Sequence, residues 1–388
     1  MRPINPFYTT NIIPAPFFCD RERETNNLAL EIASGNNVLL MSPRRMGKTG
    51  LINHLFEDSR IKKTYNTFFI DIYDTSTLRE LTFRLGKEVY DKMSLWDKAR
   101  GIGFLGVLQS LKGEFSVDPV SMSPRFALSV GQINNPEATL DEILEYLNKQ
   151  DKPCIVAIDE FQQISDYEDN RVEAVLRTKI QRLNNIRFIF CGSERHLLNQ
   201  MFLTKSRPFY RSTSSVVLDR IKKQKYIDFA KYLFKSYGKD ISDEAVSTIY
   251  DMVDGYTYYL QRTMSYTFSR TAETETQNVP GCMALLEQLI QTESSNFKSV
   301  LSLLSASQRE VLYAIAMAGK AVNILSKSFV SKYHLGVPSS VQSAVRSLLK
   351  KQLISRSGDV YSIEDKFLEL YLKMDSGLSL QQYSHLFF

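Results

Sequence analysis

Cysteine and histidine are scarce in this chain of 388 residues, which has four of each. The cysteines, Cys19, Cys154, Cys191 and Cys282, lie far apart in the sequence, and this spacing predicts neither a disulfide framework nor a zinc cluster. The histidines show no H-E-x-x-H spacing. The sequence therefore gives no support to a zinc enzyme.

Long apolar runs and a strong net charge are also missing. No segment approaches the roughly 18 consecutive apolar residues that a membrane-spanning helix needs. The first residues, MRPINPFYTT, lack the apolar stretch of a signal peptide, so we expect a cytoplasmic protein without a membrane segment. The net charge of +5 does not by itself indicate nucleic-acid binding. The length suits two or three globular domains.

Residues 37–52, NVLLMSPRRMGKTGLI, are the most informative segment. A short apolar run typical of a buried parallel strand is followed by a loop, and Gly47 then opens an amphipathic run. This is the layout of a phosphate-binding P-loop, in which Lys48 would reach the β and γ phosphate oxygens and Thr49 would bind Mg²⁺. The predicted nucleotide-binding residues are Ser42, Pro43, Arg44, Arg45, Met46, Gly47, Lys48, Thr49 and Gly50.

Two features of this loop leave questions open. The usual pattern, G-x-x-x-x-G-K-[ST], begins with glycine, whereas this chain has Ser42 at that site. The sequence alone therefore does not establish how tightly this loop binds ATP. Arg44 and Arg45 lie inside the loop, and the sequence does not distinguish a phosphate contact from an anchoring contact elsewhere.

A second motif, CIVAIDEFQQI at residues 154–164, places two carboxylates directly after an apolar strand. In an open α/β sheet, ligands bind at this edge. Asp159 would hold Mg²⁺, and Glu160 would act on the water that attacks the γ-phosphate. The alternative is that both residues only cap the following helix.

Strand and helix patterns alternate from residue 37 to residue 193, which predicts a doubly wound α/β core over residues 1–215. The segment near 94–135 does not follow this alternation. Its glycines and the alternating run SVDPVSMSPRFALSVGQ predict an insertion that contains a hairpin.

Two polar residues after the later strands are candidates for catalysis. Ser193 follows the strand IRFIFCG and would contact the attacking water, or it would cap the helix that begins near His196. Arg211, in KSRPFYRST, would stabilise transition-state charge in its own site or in that of a neighbouring molecule.

Amphipathic helices replace the alternating pattern after residue 215, which predicts a helical lid domain over 216–295. Three helices and a hairpin follow, predicting a winged helix-turn-helix over 296–375 and a tail over 376–388. The third of these helices, PSSVQSAVRSLLKKQLI, is predicted to have Ser339 or Ser340 as its cap.

The winged helix leaves two kinds of partner open. Its third helix would expose four polar side chains to a DNA major groove: Gln342, Ser343, Arg346 and Lys350. Acidic residues follow the wing closely and argue against DNA: Glu364, Asp365 and Glu369. Many winged helices bind protein instead, so duplex DNA and a protein partner both remain possible.

The motifs FFCDRERE, SPRRMGKTGL, AIDEFQQI, FIFCGSERHL, RPFY and GYTYYLQ, with the winged helix, together resemble the AAA-like P-loop ATPase family of archaea and bacteria, which is related to the STAND class of signalling NTPases. This resemblance implies an ASCE-type core with strand order 5-1-4-3-2, ATP and Mg²⁺ as ligands, and site residues at Lys48, Thr49, Asp159 and Glu160. Thr257 departs from the Gly-x-Pro of related NTPases and leaves nucleotide sensing by the lid open.

These features favour an ATP-hydrolysing switch, in which the bound nucleotide, ATP or ADP, sets the arrangement of the lid and winged-helix domains and so the binding of a protein partner or self-association. Two alternatives differ in class. One is a DNA-binding ATPase, a regulator or recombination factor that uses the winged helix. The other is a scaffold that binds ATP and hydrolyses it weakly.

Overall fold

The computed structural model describes residues 4–10, 12–92 and 133–384, together with the backbone of 114–117 and 124–127. The chain forms two compact units, of which one contains residues 10–219 and the other contains residues 4–9 and 220–384. Residues 4–9 were predicted to belong to the α/β core. They instead belong to the unit of residues 220–384, because Phe7 packs there on Phe234 and Phe268. None of the described helices is long and apolar enough to cross a membrane.

The unit of residues 10–219 alternates helices and strands. In chain order its elements are α1 (Glu22–Ala33), β1 (Val38–Met41), α2 (Lys48–Glu57), α3 (Ser59–Thr64), β2 (Asn66–Asp71), α4 (Leu78–Lys92), β3 (Glu114–Val117), β4 (Pro124–Ala127), α5 (Pro136–Asn148), β5 (Cys154–Asp159), α6 (Val172–Ile180), β6 (Ile186–Gly192), α7 (Arg195–Leu203) and β7 (Ser214–Val217).

Five of these strands form one parallel sheet in the order β2-β5-β6-β1-β7. If only these five strands are numbered in chain order, the sheet reads 2-3-4-1-5 from β2 to β7, which is 5-1-4-3-2 from the opposite edge. This order confirms the ASCE-type core that the resemblance implies. Strands β1 and β5 are buried along their whole length. Such burial is expected of central parallel strands covered by helices on both faces.

The predicted insertion near 94–135 lies mostly outside the described residues. Within it, β3 pairs antiparallel with β4, with Glu114 opposite Ala127 and Val117 opposite Pro124. The predicted pairing of two strands is therefore confirmed, but the first strand begins at Glu114, two residues before the run that predicted it.

The C-terminal unit is helical apart from short strands. Its elements are α8 (Lys223–Ser236), β8 (Asp240–Ile241), α9 (Asp243–Met252), α10 (Thr257–Arg270), β9 (Thr276–Gln277), α11 (Val279–Thr292), α12 (Ser294–Ser302), α13 (Ala306–Ala318), β10 (Ala321–Val322), α14 (Lys327–Lys332), α15 (Pro338–Lys350), β11 (Ile354–Ser357), β12 (Val360–Ile363), α16 (Lys366–Asp375) and α17 (Leu380–Ser384).

Helices α13, α14 and α15 and the three-stranded sheet β10-β12-β11 have the winged-helix architecture. Strands β11 and β12 pair antiparallel around a turn in which Gly358 has φ of 60°. The predicted cap of α15 is wrong. The helix begins at Pro338, with Val337 before it and no side-chain cap, because proline already has the φ angle of a first helical residue.

Candidate functional site

The P-loop joins β1 to α2 and contains two residues in the left-handed backbone region. Arg45 has φ of 64° and Gly47 has φ of 85°. Left-handed residues in turns form the backbone concavities that bind anions. Ser42 is buried and is not among the residues with positive φ, and its Oγ donates to the Pro43 carbonyl at 3.1 Å. Ser42 therefore does not adopt the left-handed conformation that would require glycine at this site.

Lys48 is buried between two carboxylates. Its Nζ lies 2.8 Å from Asp159 Oδ1 and 3.2 Å from Glu160 Oε1. Burial disfavours the charged ammonium, but the attraction of Asp159 and Glu160 outweighs this effect and raises the pKa of Lys48. The lysine is therefore a fixed positive charge at the start of α2.

Thr49 and Asp159 are in direct contact. The hydroxyl of Thr49 donates to Asp159 Oδ2 at 2.9 Å, and the backbone N–H of Glu160 donates to Asp159 Oδ1 at 2.9 Å. The sequence places these residues 110 positions apart, and the parallel order of β1, β6 and β5 brings the two strand ends to one edge of the sheet.

Glu160 does not cap the segment that follows it. A short 3-10 helix, Phe161–Asp166, begins after Glu160 without a side-chain cap, and the carboxylate turns toward Lys48. Glu160 has φ of 55° and ψ of 41°, a left-handed conformation that is uncommon for a residue with a side chain. Such strain is characteristic of functional sites, where surrounding contacts maintain it.

Ser193 lies at the tip of β6 and contacts the same carboxylate. Its Oγ donates to Glu160 Oε2 at 2.9 Å, and its backbone N–H donates to that oxygen at 3.3 Å. Helix α7 has Glu194, and not Ser193, at its N-cap position. Ser193 is therefore not the N-cap of α7, and its contact with the attacking water stays a prediction.

Arg44 connects the P-loop to this group, because its Nε donates to Ser193 Oγ at 3.2 Å. Ser193 thus accepts from Arg44 and donates to Glu160. Arg45 is exposed. The contact between Arg44 and Ser193 lies within the unit of residues 10–219, and a contact of Arg44 with the nucleotide stays a prediction.

Arg211 has no hydrogen bond or ion pair with this group among the described residues. It is exposed, has φ of 51°, and its guanidinium carbon is 5.3 Å from the Tyr210 ring centroid. The neighbouring arginine, Arg207, pairs with the buried carboxylate of Glu173. Among the described residues, neither arginine has a recorded contact with Lys48 or Glu160, and the catalytic role of Arg211 stays a prediction.

Sequence reasoning missed two residues of the site. Gln162 is buried, and its Nε2 donates to Glu160 Oε2 at 2.6 Å. Asp71 ends β2 directly beside Asp159 in the sheet register, so it adds a third carboxylate at this edge. The signals were available: Gln162 lies within the motif DEFQQ, and Asp71 ends the run FFID.

Glu160 is held in its ionised form. Burial raises its pKa, but the charge of Lys48 and the hydrogen bonds from Gln162 and Ser193 together outweigh burial, and the pKa lies below its ordinary value. The carboxylate is therefore available as a proton acceptor throughout the neutral range.

Comparison with known families and structures agrees with this architecture. The family described as an ATPase domain predominantly from Archaea matches residues 18–263, and a winged helix domain family matches residues 295–374. An uncharacterized ATP-binding protein of Methanocaldococcus jannaschii is 24% identical over 268 residues, which cover 64% of this chain and 69% of that protein.

Two solved structures share the fold over nearly the whole chain. A Walker-type ATPase of Pyrococcus abyssi has a TM-score of 0.62 at 19% identity and covers 95% of this chain and 99% of its own. The ORC2 protein of Aeropyrum pernix, solved as ADPNP and ADP complexes, has a TM-score of 0.58 at 13% identity. The match covers 96% of this chain and 98% of the ORC2 chain. Because the ATPase family matches more than half of its residues, this chain belongs to the family of ATPase domains found predominantly in Archaea, and its ATPase domain is followed by a winged helix domain.

Proposed function

We propose that this protein binds ATP at the P-loop, hydrolyses it with Glu160 as the general base, and uses the nucleotide state to control a partner. One observation carries this proposal: Lys48, Thr49, Asp159 and Glu160 form one contact group at the carboxyl edge of a parallel sheet. Lys48 would bind the β and γ phosphate oxygens. Glu160 would take a proton from the attacking water.

The residues present fit a magnesium ion. A threonine hydroxyl and a carboxylate lie 2.9 Å apart, and Mg²⁺ prefers such oxygen ligands while keeping several of its waters. Thr49 would hold the ion directly, and Asp159 would hold its water shell. When bound, Mg²⁺ would neutralise charge on the phosphate oxygens.

Removal of the Thr49 hydroxyl is expected to weaken the requirement for magnesium selectively. In Thr49→Val, which keeps the shape of the side chain, the Mg²⁺ concentration for half-maximal turnover should rise by about 10- to 100-fold. Thr49→Ser, which keeps the hydroxyl, should stay close to the wild type. Magnesium titrations of phosphate release measure this, and equal titrations for Thr49→Val and the wild type would exclude Thr49 as a ligand.

The switch part of the proposal is supported by the division of the chain into two compact units. Units that have their own cores can change their relative arrangement, and nucleotide-driven closure of domains is a common device. A partner that binds the ATP state more tightly than the ADP state would respond to hydrolysis.

Phosphate release from ATP by the purified chain tests the proposal. Two results together would support the switch. Phosphate release should require Mg²⁺, and the binding of a partner or the self-association of the chain should differ between the ATP and ADP states. Tight ATP binding without measurable release would instead support a nucleotide-dependent scaffold.

A DNA-binding ATPase is the second candidate, and the surface of α15 favours it. Gln342, Ser343, Arg346 and Lys350 are all exposed on this helix. Two of the acidic residues that argued against DNA have other functions in the structure. Asp365 caps α16 by accepting from two backbone N–H groups, and Glu369 is buried between Lys366 and Lys373.

Duplex DNA binding should depend steeply on salt if this candidate is correct. The slope of log K against log salt is about −0.9 for each phosphate contact. Arg346→Ala and Lys350→Ala should each reduce that slope by about 1 if they contact phosphates. Lys351→Ala is the matched control, because Lys351 Nζ donates to the Leu303 carbonyl. Fluorescence anisotropy measures these slopes, and no binding at low salt would exclude DNA as the partner.

A further inference from the structure

The two oxygens of the Glu160 carboxylate have different surroundings. Oε2 accepts from Gln162 Nε2 at 2.6 Å, from Ser193 Oγ at 2.9 Å and from the Ser193 backbone N–H at 3.3 Å. Oε1 lies 3.2 Å from Lys48 Nζ. A carboxylate oxygen has about two lone pairs, so three donors occupy Oε2 fully. Oε1 is therefore the oxygen with remaining capacity to accept a proton.

The orientation of the Gln162 amide follows from this contact. A carboxylate only accepts hydrogen bonds, so Gln162 must present its Nε2 to Glu160. The other end of the amide, Oε1, is buried and has no hydrogen-bond partner among the described residues. A buried acceptor without a partner destabilises the folded state. Its presence here indicates that the donor end of the amide has a specific task.

Gly192 makes room for this orientation. A methyl group on Gly192 would lie 2.0 Å from Gln162 Oε1 and 3.0 Å from Leu198 Cδ1. Contacts this short do not occur, so any side chain at position 192 would displace the amide of Gln162. Gly192 is the last residue of β6, directly before Ser193. One strand end therefore supplies both the space for Gln162 and the second side-chain donor to Oε2.

We propose that Gln162 is a positioning residue that, with Ser193, holds Glu160 Oε2 so that Oε1 accepts the proton of the attacking water. This inference rests on the proposed function, ATP hydrolysis with Glu160 as the base. In that step the water oxygen bonds to the γ-phosphorus while its proton passes to Glu160 Oε1. The bond from the γ-phosphorus to the bridging oxygen breaks, and ADP leaves with the bonding electrons.

Replacement of Gln162 should affect catalysis and not ATP binding. In Gln162→Leu, kcat is expected to fall by about 10²-fold, because the carboxylate loses a donor that orients it. The KM for ATP should change little. Gln163→Leu is the matched control: Gln163 is the next residue, and its side chain is only half-buried.

A pair of substitutions tests the geometry independently. Gly192→Ala should lower kcat, because the methyl group displaces the Gln162 amide. If displacement of this amide is the cause, Gly192→Ala should have little further effect in a chain that already carries Gln162→Ala. Additive losses in the double variant would show that Gly192 acts through another contact, such as Leu198.

A double variant separates this inference from the proposed function. If Gln162 acts through the carboxylate, Gln162→Leu should have little further effect on kcat in a chain that already carries Glu160→Gln. An unchanged kcat in Gln162→Leu alone would overturn the role of Gln162 and leave ATP hydrolysis intact. Absence of turnover in the wild type would overturn the proposed function and the catalytic role of Gln162 together.

Discussion

Glu160→Gln is expected to reduce ATP turnover by about 10²- to 10⁴-fold while ATP binding persists. The substitution keeps the size of the side chain and leaves an amide oxygen that can accept from Gln162 and Ser193. The amide has no basic oxygen that could take a proton from water at neutral pH. Steady-state phosphate release and the equilibrium binding of ATP measure the two effects separately.

The matched control for this variant is Glu168→Gln. Glu168 is exposed and lies in the loop after the 3-10 helix, so the same chemical change is made outside the site. Its turnover should equal that of the wild type. If Glu160→Gln also hydrolyses ATP at the wild-type rate, Glu160 is not the general base.

Lys48→Met is expected to weaken ATP binding by about 10- to 100-fold, which corresponds to the loss of hydrogen bonds to a charged group. Methionine retains most of the buried side-chain volume and removes only the ammonium. Turnover at low ATP concentration should fall at least as much. Isothermal titration with ATP measures the affinity, and Lys62→Met, at an exposed position, is the control.

The same variant should also lose stability at neutral pH. Asp159 and Glu160 would then lie buried without the cation that lies 2.8 Å and 3.2 Å from them, at a cost of about 1–3 kcal/mol. The charge of Lys48 lowers the pKa of Glu160, so without Lys48 the folded-state pKa of this carboxylate rises, and its share of the penalty is present at high pH and disappears as the pH falls and Glu160 takes up a proton. Denaturant unfolding at pH 7 and pH 5 measures the difference. A stability loss that does not depend on pH would contradict this electrostatic role of Lys48.

The core of the fold could be predicted from local patterns. Apolar runs of strand length alternate with amphipathic runs, and a P-loop followed by a buried strand ending in two carboxylates requires a parallel sheet with both motifs at one edge. The strand order was implied by the resemblance and not by these patterns, because hydrophobic periodicity does not identify the neighbour of a strand.

Features that depend on tertiary packing were harder to predict from the sequence. The cap of α15 was predicted at Ser339 or Ser340, but the backbone preference of Pro338 starts the helix earlier. Residues 4–9 lie with the C-terminal unit because Phe7 packs among aromatic rings more than 200 positions away. No local pattern reports such a contact.

Four groups of the candidate site could be identified from local sequence alone. Lys48, Thr49, Asp159 and Glu160 were recognisable because their chemistry and spacing match what phosphate, a metal ion and an attacking water require. The contacts that hold these groups depend on the folded chain. The pairing of β5 with β6 brings Ser193 to Glu160, and the absence of a side chain at Gly192 admits Gln162. Such contacts arise from distances across the sheet, which side-chain identity along the chain does not specify.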